Sequence, residues 1–118
     1  RLPACQAEQP GHGGRECHMT RIYCERDGDR YLISAKGHAT GSEKACAAVS
    51  GILYGLAGYL ANDKTAEVIT CRMEPGDAVI HARGGESLGG AFSMAAIGLG
   101  QIAQAEPERV TAKILWEM

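Results

Sequence analysis

Residues 36–60, KGHATGSEKACAAVSGILYGLAGYL, contain the end of a predicted strand, a short polar loop and the beginning of a long helix. Within this stretch, residues 40–43 match a capping box, and Ser42 is an alternative N-cap. Either cap predicts a helix of about 18 residues that ends near Asn62. The helix therefore begins only a few residues after His38, which stands at the far end of the strand.

Two β-hairpins are predicted, one before and one after this helix. The first has the turn signal Asp27-Gly28, and the second has Pro75-Gly76 at the two central positions of a type II turn. The strands that these turns join lie at 20–26, 29–39, 65–73 and 78–85. Alternation places these side chains on the inward faces of their strands: Ile22, Cys24, Ile69, Cys71 and Met73.

A second uncharged run, residues 87–105, predicts another helix, which ends before Pro107. Strand patterning returns at 108–118, where alternate residues are expected to face inward: Val110, Ala112, Ile114 and Trp116. The order is thus ββαββαβ, with hairpin-paired strands and both helices packed on one face of a sheet. This arrangement is a two-layer α+β domain.

Composition narrows the class of protein. The chain has 118 residues, 45% of them hydrophobic and 22% charged, which is typical of one soluble globular domain. A net charge of -2 and scattered Lys and Arg residues argue against a nucleic-acid partner. Residues 45–62 and 87–105 approach the length of a membrane span, but their Gly, Ala and Ser content favours two buried helices. We therefore expect no nucleic-acid partner and no membrane insertion.

The first helix carries three glycines on one side: Gly51, Gly55 and Gly58. Each costs about 1 kcal/mol relative to alanine in a helix interior, which is tolerable where a second backbone approaches closely. Two interpretations stay open. The glycines pack against the other helix of the same chain, or they form a dimer interface, and both can hold together.

Residues 1–18 have no periodicity and precede Met19, after which strand patterning begins at once. Arg15-Glu16 can be encoded AGG-GAG, a purine-rich ribosome-binding sequence just before the Met19 codon. We interpret 1–18 as a non-native upstream extension or a disordered segment, and 19–118 as a single domain. The segment holds four potential metal ligands, Cys5, His12, Cys17 and His18. Their spacing fits no zinc pattern, so we expect no metal and no cofactor.

The five cysteines form no Cys-x-x-Cys pair, their number is odd, and no secretory signal is visible. These observations favour a reduced, cytoplasmic protein. Cys46 stands apart because it falls in the first turn of the first helix, where unpaired N–H groups and the helix dipole favour a thiolate. The alternative is that Cys46 is a small packing residue, which is the commoner role of cysteine.

His38 is separated from Cys46 by one short loop, so its imidazole can take the thiol proton and later protonate a leaving amine. The N–H groups of the helix terminus can hold the oxyanion of a tetrahedral intermediate. Ser50 lies one helical turn after Cys46. It can orient the thiol or the loop backbone, or merely bond back to a helix carbonyl.

These residues resemble a known family. KGHA at the end of the second strand, followed by CAAVSGILYGLAGYL in the first helix, is similar to the ribosomal-processing cysteine protease family Prp, also called YsxB-like. The family pattern is Gly-His-Ala, a loop, and Cys-Ala-Ala-Val-Ser, and the resemblance covers residues 19–118. It implies a cytoplasmic cysteine endopeptidase with His38 and Cys46 as the catalytic pair and with Gly37 and Ser50 as supporting residues.

The resemblance also implies a substrate and an assembly. Members of the family are usually homodimers that remove an N-terminal extension from a large-subunit ribosomal protein in Firmicutes, and they trim phage capsid or scaffold precursors. Their target carries an aromatic pair before a small residue, so an apolar groove beside the catalytic pair is expected. The partner would then be a precursor protein, either ribosomal or a phage structural protein.

The chain departs from the family in the loop between the two catalytic positions. Members commonly have a longer loop that ends in Gly-x-Asp-x-x-Cys. The loop here, residues 39–45, is about four residues shorter, and Glu43 is its one acidic residue. This departure favours a prophage-encoded relative and leaves no third catalytic residue. Two alternatives to a protease stay open: a catalytically silent dimeric binding or assembly module, and a thiol redox sensor that uses Cys46 alone.

Overall fold

The computed structural model describes residues 19–37 and 43–116. In these ranges the elements are β1 Thr20–Asp27, β2 Arg30–Lys36, α1 Glu43–Asn62, β3 Glu67–Glu74, β4 Asp77–Arg83, α2 Glu86–Ala105 and β5 Val110–Leu115. The predicted order ββαββαβ and the α+β class are confirmed. The proposed caps at residues 40 and 42, the segment 1–18 and His38 lie outside the described residues.

The hairpin turns follow from glycines with positive φ. Gly76 has φ of 71°, as the second central residue of a type II turn requires, so the predicted Pro75-Gly76 turn is confirmed. The β1–β2 turn is shifted by one residue from the prediction, because Asp27 pairs with Arg30 and the central residues are Gly28 and Asp29. Gly28 has φ of 65° and occupies the first central position, where a type II′ turn needs glycine.

The strands form one mixed sheet in the order β3-β4-β2-β1-β5. Neighbouring strands in this sheet run antiparallel, except that β1 and β5 run parallel to each other. Because β2 pairs with β4, the end of β2 lies beside the β3–β4 turn, with Lys36 opposite Asp77. This pairing brings the residues just before the polar loop next to a turn that lies far away in the sequence.

Both helices pack on one face of the sheet and enclose the core. The face of α1 that points inward repeats every three to four residues, at Ala45, Val49, Leu53, Leu56 and Leu60. In α2 the fully buried Phe92 stacks on Tyr31 of β2, with ring centroids 5.3 Å apart. The inward residues predicted on β1 and β5 are confirmed, since all of them are buried or packed against this core: Ile22, Cys24, Val110, Ala112, Ile114 and Trp116.

Strand β3 corrects the sequence prediction. Val68 pairs with Ala82 and Thr70 with His81, so a bulge at Ile69 interrupts the alternation that was predicted to align Ile69 with Cys71 and Met73. Cys71 does share the helix side of the sheet with its partner Ile80, but it is exposed because β3 is an edge strand. The predicted inward side of Cys71 is thus correct, but the burial expected on that side is not found.

The glycines of α1 also correct a prediction. Within residues 19–37 and 43–116, a Cβ placed on any of the three would meet nothing within 4 Å, so they make no close contact with the other described helix: Gly51, Gly55 and Gly58. The close approach of α1 and α2 occurs instead at Gly98, where a Cβ would lie 2.8 Å from Ile52 Cδ1. Among the described residues, α1 is the one helix long and apolar enough to span a membrane, a property that core helices of soluble proteins share.

Candidate active site

A cavity of about 280 Å³ lies between the start of α1, the end of β2 and the β3–β4 turn. Its α1 wall consists of Cys46, Val49, Ser50, Leu53 and Tyr54, which share one helix face because they stand at positions i, i+3, i+4, i+7 and i+8. Its other lining residues are Thr20, Ala35, Gly37, Met73, Glu74, Pro75, Gly76, Asp77 and Ala78. The cavity is therefore mostly apolar, with the cysteine at one side.

Cys46 is exposed although its neighbours in α1 are anchored in the core. Ala45 and Val49 are 1% and 6% exposed, and they fix the rotation of the first two turns of the helix. Cys46 follows Ala45 by one residue, or about 100° of helix rotation, and so its side chain leaves the core and reaches the cavity. Because α1 begins at Glu43, Cys46 lies in the first turn of the helix, as the sequence predicts.

Gly37 forms the opposite wall, and its backbone is held on both sides. Its N–H donates to the carbonyl oxygen of Gly76 at 3.0 Å, and its carbonyl oxygen accepts from Thr20 Oγ1 at 3.4 Å. Gly37 has φ of 90°, and a side chain here would collide with the carbonyl oxygen of Met19. Only glycine fits such a position without strain. The peptide bond that leads into His38 therefore starts from a fixed point on the cavity wall.

An ion cluster closes the cavity at the β3–β4 turn. Asp77 Oδ1 is 2.5 Å from Lys36 Nζ, and the Asp77 carboxylate accepts from Nε and Nη2 of Arg72 at 3.2 Å each. Hydrogen bonds first from Lys36 and then from Arg72 hold the pKa of the Asp77 carboxyl below its usual value of 3.8. The cluster ties β2, β3 and β4 together next to Gly37, and it leaves the Asp77 charge neutralised.

The three described cysteines differ in setting. Cys24 is fully buried in the sheet, and burial raises the pKa of its thiol to about 12. Cys46 and Cys71 are both exposed, Cys46 on the cavity wall and Cys71 on the edge strand. Only Cys46 combines access to solvent with a helix N-terminus and an enclosed cavity. No group of three or more potential metal ligands occurs within residues 19–37 and 43–116.

The structure brings three of the sequence-predicted site residues to one place, because Gly37, Cys46 and Ser50 all line the same cavity. The predicted histidine, His38, lies outside the described residues. Other lining residues escaped the sequence analysis, above all Thr20 and the β3–β4 turn. Their place depends on pairing between distant strands, for which a single sequence carries no signal. Tyr54 could have been found from its spacing of eight residues after Cys46.

No family sequence model matches the chain, and no curated protein sequence matches it. Solved structures do share its fold. SMU.848 from Streptococcus mutans has a TM-score of 0.68 and 24% sequence identity, with 88% of this chain and 99% of that one covered. The essential ribosomal processing protease Prp from S. aureus has a TM-score of 0.63, with 81% of this chain and 99% of that one covered.

The S. aureus protease appears in two complexes. One holds a covalently linked product peptide, at 17% sequence identity to this chain, and the other holds a substrate peptide, at 13%. The TM-scores establish a shared fold, which is Prp-like, and identities this low extend the likeness no further. The likeness is in the fold and not in a match of sequence, so the role of each residue is argued from the site itself.

Proposed function

We propose that the protein is a cysteine endopeptidase in which Cys46 is the nucleophile and His38 is the general base and acid. The observation that carries this proposal is the cavity that Cys46 shares with Gly37, the residue bonded directly to His38. Nucleophilic catalysis needs a base within hydrogen-bond reach of the thiol, and the fixed backbone of Gly37 in the same cavity supports His38, the next residue, as that base. The peptide complexes of the S. aureus protease support a peptide as the substrate class.

The proposed reaction has two stages. In the first, His38 takes the proton of the Cys46 thiol, the sulfur attacks the scissile carbonyl carbon, and His38 returns the proton to the leaving amine. N–H groups in the first turn of α1 stabilise the oxyanion. In the second stage, water activated by His38 hydrolyses the thioester and frees the carboxylate. Ser50, half-buried on the same wall, orients the thiol.

The proposed substrate is a precursor protein, cut near its N-terminus or at an internal processing site. The S. aureus structure is that of a ribosomal processing protease, and an N-terminal extension of a large-subunit ribosomal protein is one candidate. A phage capsid or scaffold precursor is the other, favoured by the departure in residues 39–45. Both substrates are cytoplasmic, and we place the enzyme there.

Cleavage is tested by incubating the protein with each candidate precursor and sequencing the new ends by mass spectrometry. The proposal expects one cut that is present with the native protein and absent with Cys46→Ala. If neither precursor is cut and no peptide in a digest of cellular proteins is cut further, the peptidase assignment is wrong. The silent binding module then takes its place. Cleavage that persists in Cys46→Ala would assign the activity to a contaminant.

We further propose a homodimer that forms through the outer faces of α1 and α2. A groove of about 470 Å³ runs between the helices over Gly51 and Gly55, and the side chain of Met94 beside it is 74% exposed. A groove next to a protruding apolar side chain is self-complementary, as a twofold interface requires. The uncharged runs 45–62 and 87–105 supply no charge to oppose such contact.

The dimer is tested by sedimentation at micromolar concentration, where the native protein is expected to run as two copies. Gly55→Leu fills open space within one chain, so it should give a folded monomer. Gly89→Leu in α2 is the matched control, because it lies outside the groove and overpacks Tyr31 inside the chain, and so should lower the melting temperature instead. A native protein that sediments as a monomer contradicts the dimer without touching the peptidase proposal.

A further inference from the structure

The cavity beside Cys46 continues along α1 to a second apolar position that the proposed chemistry does not use. Tyr54 is 64% exposed, and Met73 of β3 is half-buried against the core. Both line the cavity that Cys46 lines, and its floor at this point is the buried pair Leu53 and Ala78. A wide aromatic side chain and a flexible thioether over an apolar floor are suited to bind an apolar side chain.

The distance from the nucleophile defines which substrate residue would reach this position. Tyr54 follows Cys46 by eight residues, which corresponds to about 12 Å along a helix that rises about 1.5 Å per residue. An extended peptide advances about 3.3 Å per residue. A peptide that lies along α1 with its scissile carbonyl at Cys46 therefore places a residue about three to four positions away beside Tyr54.

We propose that Tyr54 and Met73 form a specificity subsite for an apolar side chain three to four residues before the bond that Cys46 cleaves. The subsite rests on the proposed peptidase function. We assign it to the N-terminal side, the half of the substrate that stays bonded to the sulfur as a thioester after the amine leaves. Contacts to this half act in both stages of the reaction, whereas contacts to the other half are lost after the first.

Charge around the cavity sharpens the expected preference. Two cations, Lys36 and Arg72, lie at this end with two carboxylates, Asp77 and the exposed Glu74, so their formal charges cancel. An acidic substrate side chain would leave water for an apolar wall and find no unpaired cation there, which opposes its binding. Leucine is therefore expected to be preferred over alanine, and alanine over glutamate.

The experiment uses ten-residue peptides with Phe-Phe-Ala at the cleaved bond and with Leu, Ala or Glu at the third and fourth positions before it. Native protein should cleave the Leu peptide with a kcat/KM about 10-fold above that of the Ala peptide. In Tyr54→Ala the Leu-to-Ala ratio of kcat/KM should fall to less than about 2-fold. Tyr54→Phe, which keeps the ring, should retain the native ratio. Leu115→Ala, which truncates a 48% exposed side chain on the far edge strand, is the matched control and should leave the ratio unchanged.

Binding is measured separately, so that failure of the subsite and failure of catalysis can be told apart. Fluorescence anisotropy of the same labelled peptides on Cys46→Ala should show the Leu peptide bound about 10-fold more tightly than the Ala peptide. Adding Tyr54→Ala should remove that difference. If native protein cleaves the peptides but Tyr54→Ala keeps the Leu-to-Ala ratio, the subsite is overturned and the peptidase stands. If no peptide is cleaved but the binding difference appears and disappears as stated, the peptidase falls, and Tyr54 belongs to an apolar peptide-binding site instead of a cleavage subsite.

Position-dependent results also decide the proposal. A second peptide set carries Leu or Ala at the third and fourth positions after the cut, and a Leu preference there that Tyr54→Ala abolishes overturns the direction in which the substrate is proposed to lie. Equal binding and equal cleavage of the Leu, Ala and Glu peptides overturns the subsite outright.

Discussion

The centre of the sheet and the start of α1 place a cysteine in opposite settings. Cys24 sits between two neighbouring strands with none of its surface exposed, and the pKa of its thiol is raised to about 12 by burial. Cys46 lies in a first helical turn, exposed, with a cavity beside it. By residue type alone, both are the same small side chain. The difference arises from which face of its element each one occupies.

Replacing the two cysteines should produce the largest contrast. Cys46→Ala removes the proposed nucleophile, so kcat/KM for a cleaved peptide should fall by at least about 10³-fold while the melting temperature stays close to native. Cys24→Ala should leave kcat/KM intact and cost about 1–2 kcal/mol in the free energy of unfolding, because it opens a small cavity. More than a tenth of native activity in Cys46→Ala would contradict the peptidase assignment.

Alkylation rates extend the comparison to a third cysteine. With limiting iodoacetamide at about pH 7.5, Cys46 should be labelled first, since it is exposed in the first turn of α1 and borders an open cavity. A pKa of about 12 leaves about one Cys24 thiol in 3 × 10⁴ ionised, so this residue should react only after unfolding. Cys71 is exposed and should react at an intermediate rate. Peptide mapping by mass spectrometry gives the order, and labelling of Cys24 before Cys46 would refute it.

Much of the fold could be predicted because its signals are local. Pro75-Gly76 and the uncharged runs mark turns and helices within windows of a few residues, and both hairpins follow from them. The order β3-β4-β2-β1-β5 could not be predicted, because it depends on contacts between distant segments. The error at Cys71 has this cause. Alternation correctly predicts its side of the sheet, but only the strand order shows that β3 is an uncovered edge.

The candidate site divides in the same way. Cys46 and Ser50 could be singled out because helix position and helical spacing are visible in the sequence. The clamp on Gly37 could not, because it needs Thr20 of β1 on one side and Gly76 of a later turn on the other. The fixed wall of the cavity is thus built from residues that are remote in sequence.

Two glycines with positive φ test how much that wall matters. Gly37→Ala combines φ of 90° with a collision against Met19, so we expect a loss of about 3 kcal/mol in the free energy of unfolding, with reduced peptide cleavage. Gly28→Ala, with φ of 65° and no atom within 4 Å of the added Cβ, should cost about 1 kcal/mol and leave cleavage intact. Chemical denaturation measures both, and equal costs would mean that the collision is relieved by a small backbone shift.

The smallest expected effect concerns Asp77, whose ion cluster joins the cavity wall to the sheet. Because the pKa of Asp77 is lowered in the folded protein, chiefly by Lys36, its ionised form stabilises the fold above the pKa of the unfolded chain. That contribution is lost as the pH falls through the folded-state pKa, below 3.8. Asp77→Asn should therefore cost about 1 kcal/mol at pH 7, a modest value since Lys36 and Arg72 are 43% and 40% exposed. Denaturation at a series of pH values should show the native and variant curves converging between about pH 5 and pH 2.

The control Asp29→Asn breaks an exposed pair with Arg83 and should change the free energy of unfolding by less than about 0.5 kcal/mol. Curves for Asp77→Asn that stay parallel to the native curve down to pH 2 would show that the cluster does not stabilise the fold through its charge.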